Sequence, residues 1–152
     1  MHDIFAAELI DLDLQGESKS DVILALAARA VAAGRATSLN GLVADVLARE
    51  AIAPTGFEGV AIPHARSEHC VAASVVFGRH RAGVDFGDET GMANLIFLII
   101  APADGSDAHL TILAALARRI IDADFRTSLL IAATPAVALA VLQEASPEVV
   151  SQ

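Results

Sequence analysis

The 152-residue sequence contains no tryptophan, no tyrosine and a single cysteine, Cys70. One cysteine excludes a disulfide within the chain and is typical of a reducing compartment. Basic residues are also scarce, since 10 Lys and Arg stand against 19 Asp and Glu, and the formal net charge is −9. Nucleic-acid binding requires clustered Lys and Arg, so this balance argues against a nucleic-acid partner and favours a basic partner or a small anion.

The sequence also lacks a long apolar run and a signal peptide. Its first residues, MHDIFAAELI, have neither a basic start nor an apolar core. Of the two most apolar stretches, 94–102 is too short to span a bilayer, and 129–142 carries Thr134 and Pro135 in its middle. We therefore expect a soluble cytoplasmic protein without membrane insertion.

The apolar periodicity predicts one α/β domain in which helices cover a mixed sheet. We expect Ser18 or Ser20 to cap the first helix, Ser106 or Asp107 a later one and Thr134 the last. The predicted elements are a strand at 8–14, helices at 21–33 and 39–51, a loop at 53–59, a strand end at 60–62, strands at 70–78 and 94–102, and helices at 105–121, 125–132 and from 135 onwards. The third helix is expected to bury Leu110, Leu113, Leu116, Ala117 and Ile120. The segment GRHRAG at 78–83 is interpreted as a solvated basic turn.

Several kinds of chemistry are disfavoured by what the motifs lack. His64, His69 and Cys70 are spaced H-x4-H-C, but no CxxC or HExxH motif accompanies them, so we expect no metal site. Cys70 is expected to be a small buried residue. A G-x-S-x-G elbow and a Walker A loop are also missing, which argues against a serine hydrolase and against ATP chemistry.

His64 is the strongest candidate for a nucleophile. It follows Pro63, whose ring stiffens the backbone, and the segment just before it is rich in glycine. Close approach of backbone N–H groups suits an anion, and the phosphate-loop candidates are Thr55, Gly56 and Gly59. A neutral imidazole nitrogen can attack phosphorus when neighbours offset the charge on the equatorial oxygens.

Two residues elsewhere in the chain could supply that charge stabilisation. His109 lies in the first turn of a predicted helix, where the dipole favours a neutral imidazole that donates a hydrogen bond. Arg49, near the end of the helix before the glycine loop, could supply a cation. On the residues alone the alternative remains open that both histidines belong to an unrelated binding domain, one in a loop and one as a helix cap.

The same residues resemble a known family. Arg49-Glu50, followed by PTGFEGVAIPHA at 54–65, resembles the phosphorylation-site signature of type 2 enzyme IIA domains. These domains form the fructose/mannitol class of the bacterial phosphoenolpyruvate-dependent sugar phosphotransferase system. Residues 78–102 and HLTILAALAR at 109–118 are similar to the downstream half of the family. The resemblance covers about 9–142, which would make the chain a single IIA domain with a tail or linker at 145–152.

The resemblance implies a three-layer α/β/α sandwich around a mixed sheet, and a phosphotransferase activity without a cofactor. His64 matches the histidine that is phosphorylated in this family. The family's pattern would put the phosphoryl group on its Nε2 atom. His109 matches the phosphate-assisting histidine, and Arg49 matches the family's arginine. The implied partners are the carrier HPr, which donates the phosphoryl group, and a IIB domain, which receives it for sugar uptake. A nitrogen-regulatory IIA, which signals through its phosphorylation state, is the alternative.

The chain departs from the family pattern in places. Phe57 and Glu58 are larger than the residues that family members often carry there, and the Glu58 carboxylate would repel phosphate unless it pointed away. GVDFG at 83–87 favours the fructose branch, whereas the acidic GDETGMAN at 87–94 weakens that assignment. His69 and His80 match no functional position, and both are expected at the surface.

Overall fold

The computed structural model describes residues 4–87, 91–104 and 108–145, and the side chains of 108, 109 and 145 lie outside that description. The chain begins with a short 3₁₀ turn at Ala7–Leu9. The further elements are β1 (Ile10–Asp11), α1 (Lys19–Ala32), α2 (Leu39–Ile52), β2 (Gly56–Phe57), β3 (Val60–Ala61), β4 (His64–Ser67), β5 (Ser74–Val84), β6 (Ala93–Pro102), α3 (Ala108–Ile120), α4 (Ala123–Ile131) and α5 (Pro135–Ala145).

The described strands form one mixed sheet in the order β1-β5-β6-β3-β2, with β4 also paired to β6. β5 and β6 are antiparallel, as are β2 and β3, whereas β1 pairs in parallel with β5, and β3 and β4 pair in parallel with β6. β6 comes from the apolar run at 94–102 and is buried at almost every position, as expected for a central strand covered on both faces.

Two apolar cores, one on each face of the sheet, confirm the predicted three layers. One core joins the sheet to α1 and α2 through residues such as Leu26, Leu42 and Val46. The other joins it to the C-terminal helices through residues such as Leu116 and Leu129. Burial of these two apolar layers is the main source of stability, at about 25 cal/mol for each Å² removed from water.

β3 and β4 behave as one strand with a short interruption. Val60 pairs with Leu95 and His64 with Ile99, so both halves keep the same register against β6. Pro63 lies between them and has no N–H to donate to a neighbouring strand. The interruption therefore falls directly before His64 and leaves the strand in place against the sheet.

The strand predicted at 8–14 was mostly wrong. Only Ile10–Asp11 pairs with β5, after the 3₁₀ turn. The Asp11 carboxylate accepts the N–H of Asp13 at 3.0 Å, and this local turn competes with further strand pairing. The alternation of apolar and acidic residues therefore correctly indicated a buried segment at Leu9 and Ile10, but it did not predict where the strand ends.

The interpretation of 78–83 as a solvated basic turn was wrong. β5 begins at Ser74 instead of Cys70 and continues through this segment to Val84. Arg79 donates through Nη1 to the carbonyls of Leu129, Leu130 and Ala132 at 3.1, 3.1 and 2.7 Å. These carbonyls end α4, so the arginine side chain satisfies a helix C-terminus and ties it to the sheet.

The buried face of α3 differs from the predicted one. Leu116 and Ile120 are buried and Leu113 is half-buried, as expected, but Leu110 is 54 % exposed and Ala117 is exposed as well. Ile112 and Ala115 are buried in their place. The helical period was right, but its phase was shifted because a run of alanines and leucines does not determine which side faces the sheet.

The helix caps predicted at Ser18 and Thr134 are confirmed, whereas α4 begins at Ala123 instead of 125, with Asp122 as its cap. Ser18 accepts the Asp21 N–H at 3.1 Å at the start of α1, and Thr134 accepts the Val137 N–H at 3.2 Å at the start of α5. The predicted cap at Ser106 or Asp107 and the tail beyond 145 lie outside the described residues. Within the described ranges no helix has the length and apolar character needed to cross a bilayer.

Candidate functional site

A tight hairpin leads into the segment that carries His64. β2 and β3 are joined by Glu58 and Gly59, whose φ angles are 46° and 87°. A two-residue type I′ turn requires positive φ at both positions, which glycine adopts freely and glutamate only rarely. The predicted loop at 53–59 is therefore in part a short strand pair. Glu58 lies at the tip of this hairpin and is exposed.

A buried carboxylate fixes the beginning of the hairpin to α2. Glu50 is 2 % exposed and accepts both the N–H of Thr55 at 2.8 Å and its hydroxyl at 2.6 Å. The ammonium of Lys19 approaches the same carboxylate at 3.4 Å. Both donors of Thr55 are thus used within the protein, and this residue positions the hairpin.

Arg49 precedes Glu50 in the last turn of α2 and holds the end of the helix. Its Nη1 donates to the carbonyl of Ala53 at 3.2 Å. This carbonyl is an acceptor that the helix end leaves without an intrahelical partner. The side chain is half-buried, and its guanidinium has further donors beyond this contact.

A cleft of about 280 Å³ separates α2 from β4 and brings Arg49 and His64 together. It is lined by Asp45, Arg49, His64, Ala65 and Arg66. The Asp45 carboxylate accepts the hydroxyl of Ser67 at 2.6 Å, which holds α2 against β4. The cleft therefore combines two cations, one carboxylate and a half-buried imidazole.

The imidazole of His64 is held in one tautomer. Its Nδ1 lies 2.8 Å from the carbonyl oxygen of Ile62. A carbonyl only accepts hydrogen bonds, so Nδ1 carries the proton and the lone pair of the neutral ring lies on Nε2. The ring thus presents Nε2 as its nucleophilic nitrogen.

The alternation of carbonyls along the strand explains why this carbonyl is available. The carbonyl of Pro63 accepts the N–H of Ile99 at 3.0 Å, in the direction of β6. Successive carbonyls of an extended chain point to opposite sides, so that of Ile62 points away from β6. His64 bonds to it there. The register of this strand against β6 thus determines which carbonyl His64 can reach, and that carbonyl determines the tautomer of the ring.

His109 is placed only by its backbone, as the second residue of α3. Val60 and Ile62 pack in the layer of α3 to α5, and strand alternation puts His64 on that same face. In the described sheet β4 pairs only with β6, so His64 lies at a sheet edge, where it can border both this layer and the cleft beside α2. α3 follows the carboxyl end of β6, to which β4 is paired in parallel. The topology therefore puts both histidines in one layer, and the role of His109 remains a prediction.

The prediction that His80 lies at the surface was wrong. His80 is 9 % exposed, its Nε2 lies 2.7 Å from the Gly16 carbonyl, and its Nδ1 accepts the Gly83 N–H at 3.0 Å. His69 is half-buried, with its Nε2 3.7 Å from a Glu68 carboxylate oxygen.

Cys70 is buried as expected, although it lies before β5 rather than at its start. Burial raises the pKa of its thiol to about 11, which keeps the thiol protonated at neutral pH. Among the described residues, no three His, Cys, Asp or Glu side chains form a group that could hold a metal ion.

Sequence reasoning missed Arg66 as a residue of the cleft. Residues 64–67 were not predicted as a strand, so the alternation that puts positions 64 and 66 on one face could not be applied. Asp45 and Arg49 are four residues apart in α2, so they share one side of the helix, and both line the cleft.

The fold and the site define a class: a three-layer α/β/α domain that presents a histidine from a strand edge beside an arginine. The chain belongs to the family described as phosphoenolpyruvate-dependent sugar phosphotransferase system, EIIA 2, whose family model matches residues 3–145. This confirms the family that the sequence resembles, and the observed architecture confirms the predicted fold.

Curated relatives agree with this membership. The chain is 38% identical over 125 residues to the fructose-specific EIIA component of the phosphotransferase system of Haloferax volcanii, which covers 81% of each chain. It is 34% identical over 141 residues to multiphosphoryl transfer protein 2 of Escherichia coli K12, covering 92% of this chain but 17% of that protein. The family's domain thus occurs both in a protein of this size and as one part of a far longer one.

Solved structures show the same fold. The nitrogen regulatory protein IIA-Ntr from Neisseria meningitidis is 28% identical with a TM-score of 0.83, over 91% of this chain and 96% of that one. IIA mannitol from E. coli is 24% identical with a TM-score of 0.78, over 91% and 98% of the two chains.

Proposed function

We propose that this EIIA domain takes a phosphoryl group onto Nε2 of His64 from a phosphohistidine carrier and passes it to a IIB domain of a fructose-type uptake system. Membership of the phosphotransferase family gives the class of reaction. The observation that carries the assignment to one atom is the hydrogen bond between His64 Nδ1 and the Ile62 carbonyl, because it leaves the lone pair on Nε2.

The transfer is a direct exchange of one phosphorus–nitrogen bond for another. The Nε2 lone pair forms a bond to phosphorus while the bond to the donor's imidazole nitrogen breaks, and the electron pair of that bond stays on the donor ring. The proton of His64 stays on Nδ1, which keeps donating it to the Ile62 carbonyl oxygen, and this hydrogen bond stabilises the cationic phosphoimidazole. Donor and acceptor are chemically alike, so the main tasks of the protein are alignment and charge stabilisation.

Arg49 is the proposed source of part of that stabilisation. It lines the cleft with His64, and its anchoring to Ala53 fixes its position at the end of α2. A guanidinium at that position offsets the charge that the equatorial oxygens carry in the transition state. His109 is proposed to donate a further hydrogen bond, on the basis of its place in the first turn of α3.

The proposed partners are the carrier HPr and a IIB domain. Two exposed apolar side chains lie in the segment that links Arg49 to His64, since Ile52 is 80 % and Phe57 54 % exposed. Exposed apolar groups flanked by charge are typical of a protein docking surface. The net charge of −9 favours a donor with a basic surface and speeds their encounter.

The direct test is phosphorylation in vitro with phosphoenolpyruvate, enzyme I and HPr. Mass spectrometry of the intact protein should show the addition of one phosphoryl group that is acid-labile and base-stable. His64→Ala should abolish this addition, whereas His69→Ala, which changes another half-buried histidine nearby, should keep it. Labelling of His64→Ala would show that the proposed acceptor is wrong.

A regulatory role is the second candidate. It is favoured by the likeness to the nitrogen regulatory protein IIA-Ntr, at 28% identity and a TM-score of 0.83. The two roles share the chemistry of the site and differ in what the phosphorylated domain meets next. Transfer from the labelled protein to candidate IIB domains would support uptake, and retention of the label with all of them would favour regulation. Genes for IIB and IIC domains next to the gene for this protein would also support a role in uptake.

A further inference from the structure

We propose that Ser67 and Asp45 are positioning residues that hold Arg49 at a fixed place relative to His64, an inference that rests on the proposed function. Ser67 ends β4, the strand that begins with His64. Asp45 lies one helical turn before Arg49 in α2. The hydrogen bond from the Ser67 hydroxyl to the Asp45 carboxylate, at 2.6 Å, joins these two elements beside the cleft.

The surroundings of Ser67 give this hydrogen bond a fixed direction. Ser67 is 2 % exposed, and its Oγ accepts the N–H of His69 at 3.1 Å. The single hydroxyl proton is donated to the carboxylate of Asp45, and an O–H···O⁻ distance of 2.6 Å is typical of a strong, charge-assisted bond. The Ser67 carbonyl accepts the N–H groups of Cys70 and Ala103 at 3.1 and 3.2 Å. Its backbone thus fixes Ser67 in place, and its side chain holds α2.

The side of α2 that faces β4 carries residues spaced four apart. At Gly41 the helix lies directly against the ring of His69, with which any larger side chain would collide. Asp45 follows one turn later and bonds to β4, and Arg49 follows after a further turn and lines the cleft with His64. Each step of four residues advances about 6 Å along the helix. The position of α2 along β4 therefore determines where the arginine enters the cleft.

The other contacts of Arg49 and α2 do not fix this position. Arg49 donates to the carbonyl of Ala53, which directly follows α2, so this contact moves with the helix. Val46 and Ala65 belong to the same apolar core, but apolar burial has no preferred direction and opposes separation more than sliding. A hydrogen bond is directional, so the bond between Ser67 and Asp45 opposes sliding as well. Misplacement by about 1 Å can slow a reaction about 100-fold.

The experiment measures transfer from phosphorylated HPr by rapid quench over a range of HPr concentrations. These data separate the maximum rate from the half-saturating concentration. For Ser67→Ala and for Asp45→Ala we expect the maximum rate to fall about tenfold and the half-saturating concentration to stay the same, because alignment is lost and docking is kept. Asp45→Asn should recover most of the lost rate, since its amide oxygen can still accept the serine hydroxyl. An asparagine variant as slow as Asp45→Ala would contradict the inference, because it would assign the effect to the charge of Asp45.

Ser74→Ala is the matched control for loss of a buried strand hydroxyl. Ser74 is 0 % exposed, and its Oγ donates to the Ala72 carbonyl at 3.0 Å and accepts from Nη1 of Arg35 at 2.9 Å. It lies in β5, which β6 separates from β4. Urea unfolding should show a loss of stability in both serine variants, and only Ser67→Ala should slow transfer. Equal slowing in both would reduce the effect to general destabilisation and overturn the inference.

Dependence on Arg49 is the feature that a purely structural role would not show. In an Arg49→Gln background, Ser67→Ala should cause little further slowing, because the serine acts through the arginine and the two effects are not additive. A further tenfold loss in the double variant, with the original protein labelled on His64, would overturn this inference and leave the proposed function standing. An original protein that takes no phosphoryl group at all would overturn the proposed function itself.

Discussion

Two groups of histidine and arginine in this protein look alike in sequence and differ in structure. Arg49, His64 and Arg66 line an open cleft between α2 and β4, whereas Arg79 and His80 lie in β5 with their polar atoms bonded to backbone groups. The difference shows that basic residues near a histidine do not themselves define a site. What matters is whether the contacts of each ring leave a nitrogen available.

The two rings are held in opposite tautomers. His64 donates from Nδ1 to the Ile62 carbonyl, which leaves the lone pair on Nε2. His80 accepts the Gly83 N–H on Nδ1 and donates from Nε2 to the Gly16 carbonyl. His80 therefore uses both nitrogens to connect the segment before α1 to β5, and its function is structural.

The largest predicted effect separates the two arginines. We expect Arg49→Gln to slow phosphoryl transfer about 100-fold, the typical loss when one group that stabilises transition-state charge is removed. Arg79→Gln should leave that rate close to normal and lower the free energy of unfolding by about 2 kcal/mol, because several α4 carbonyls lose their donor.

Transfer kinetics and urea unfolding, measured on both variants, provide the comparison. Equal loss of transfer rate in the two variants, or loss of stability in Arg49→Gln alone, would contradict the assignment of separate roles.

The second prediction concerns His80. His80→Ala removes a donor and an acceptor that two partly buried backbone groups use, so the free energy of unfolding should fall by about 2 kcal/mol. Phosphorylation on His64 should persist in the folded variant. Chemical denaturation measures the stability of the variant, and the intact mass after labelling shows whether it is phosphorylated. A variant of normal stability that no longer takes up the phosphoryl group would instead assign His80 a role in the reaction.

The smallest effect is expected at Thr55, where a phosphate-binding role and a positioning role predict different results. Thr55→Val removes the hydroxyl that Glu50 accepts at 2.6 Å and should cost about 1 kcal/mol of stability without changing the phosphorylation equilibrium constant. Thr55→Ser should restore the stability. A shifted equilibrium constant in the valine variant would indicate a direct contact with phosphate.

Much of the fold could be predicted from local patterns. The apolar run at 94–102 predicted the central strand, and the caps at Ser18 and Thr134 were correct because N-capping depends only on neighbouring residues. The extent of β5 was wrong because Arg79 finds its acceptors about fifty positions further on, in α4. A contact between residues so far apart cannot be predicted from a short window of sequence.

The site was predictable where a motif carried it. His64 and Arg49 came from the glycine–proline–histidine segment and its preceding helix, and the structure places both in one cleft. Arg66 could not be found, because the interruption at Pro63 hides a strand that only the register with β6 reveals. The tautomer of His64 likewise depends on the direction of one carbonyl, which the sequence does not specify.

The most direct test of the central claim is ¹⁵N and ³¹P NMR of the protein phosphorylated with its histidine rings ¹⁵N-labelled. The structure predicts that phosphorus couples to Nε2 of one ring, that this ring belongs to His64, and that its Nδ1 keeps its proton and donates it to the Ile62 carbonyl oxygen. The signal should be missing from His64→Ala. Coupling of phosphorus to Nδ1 of His64, or to a nitrogen of another histidine, would contradict the proposed mechanism.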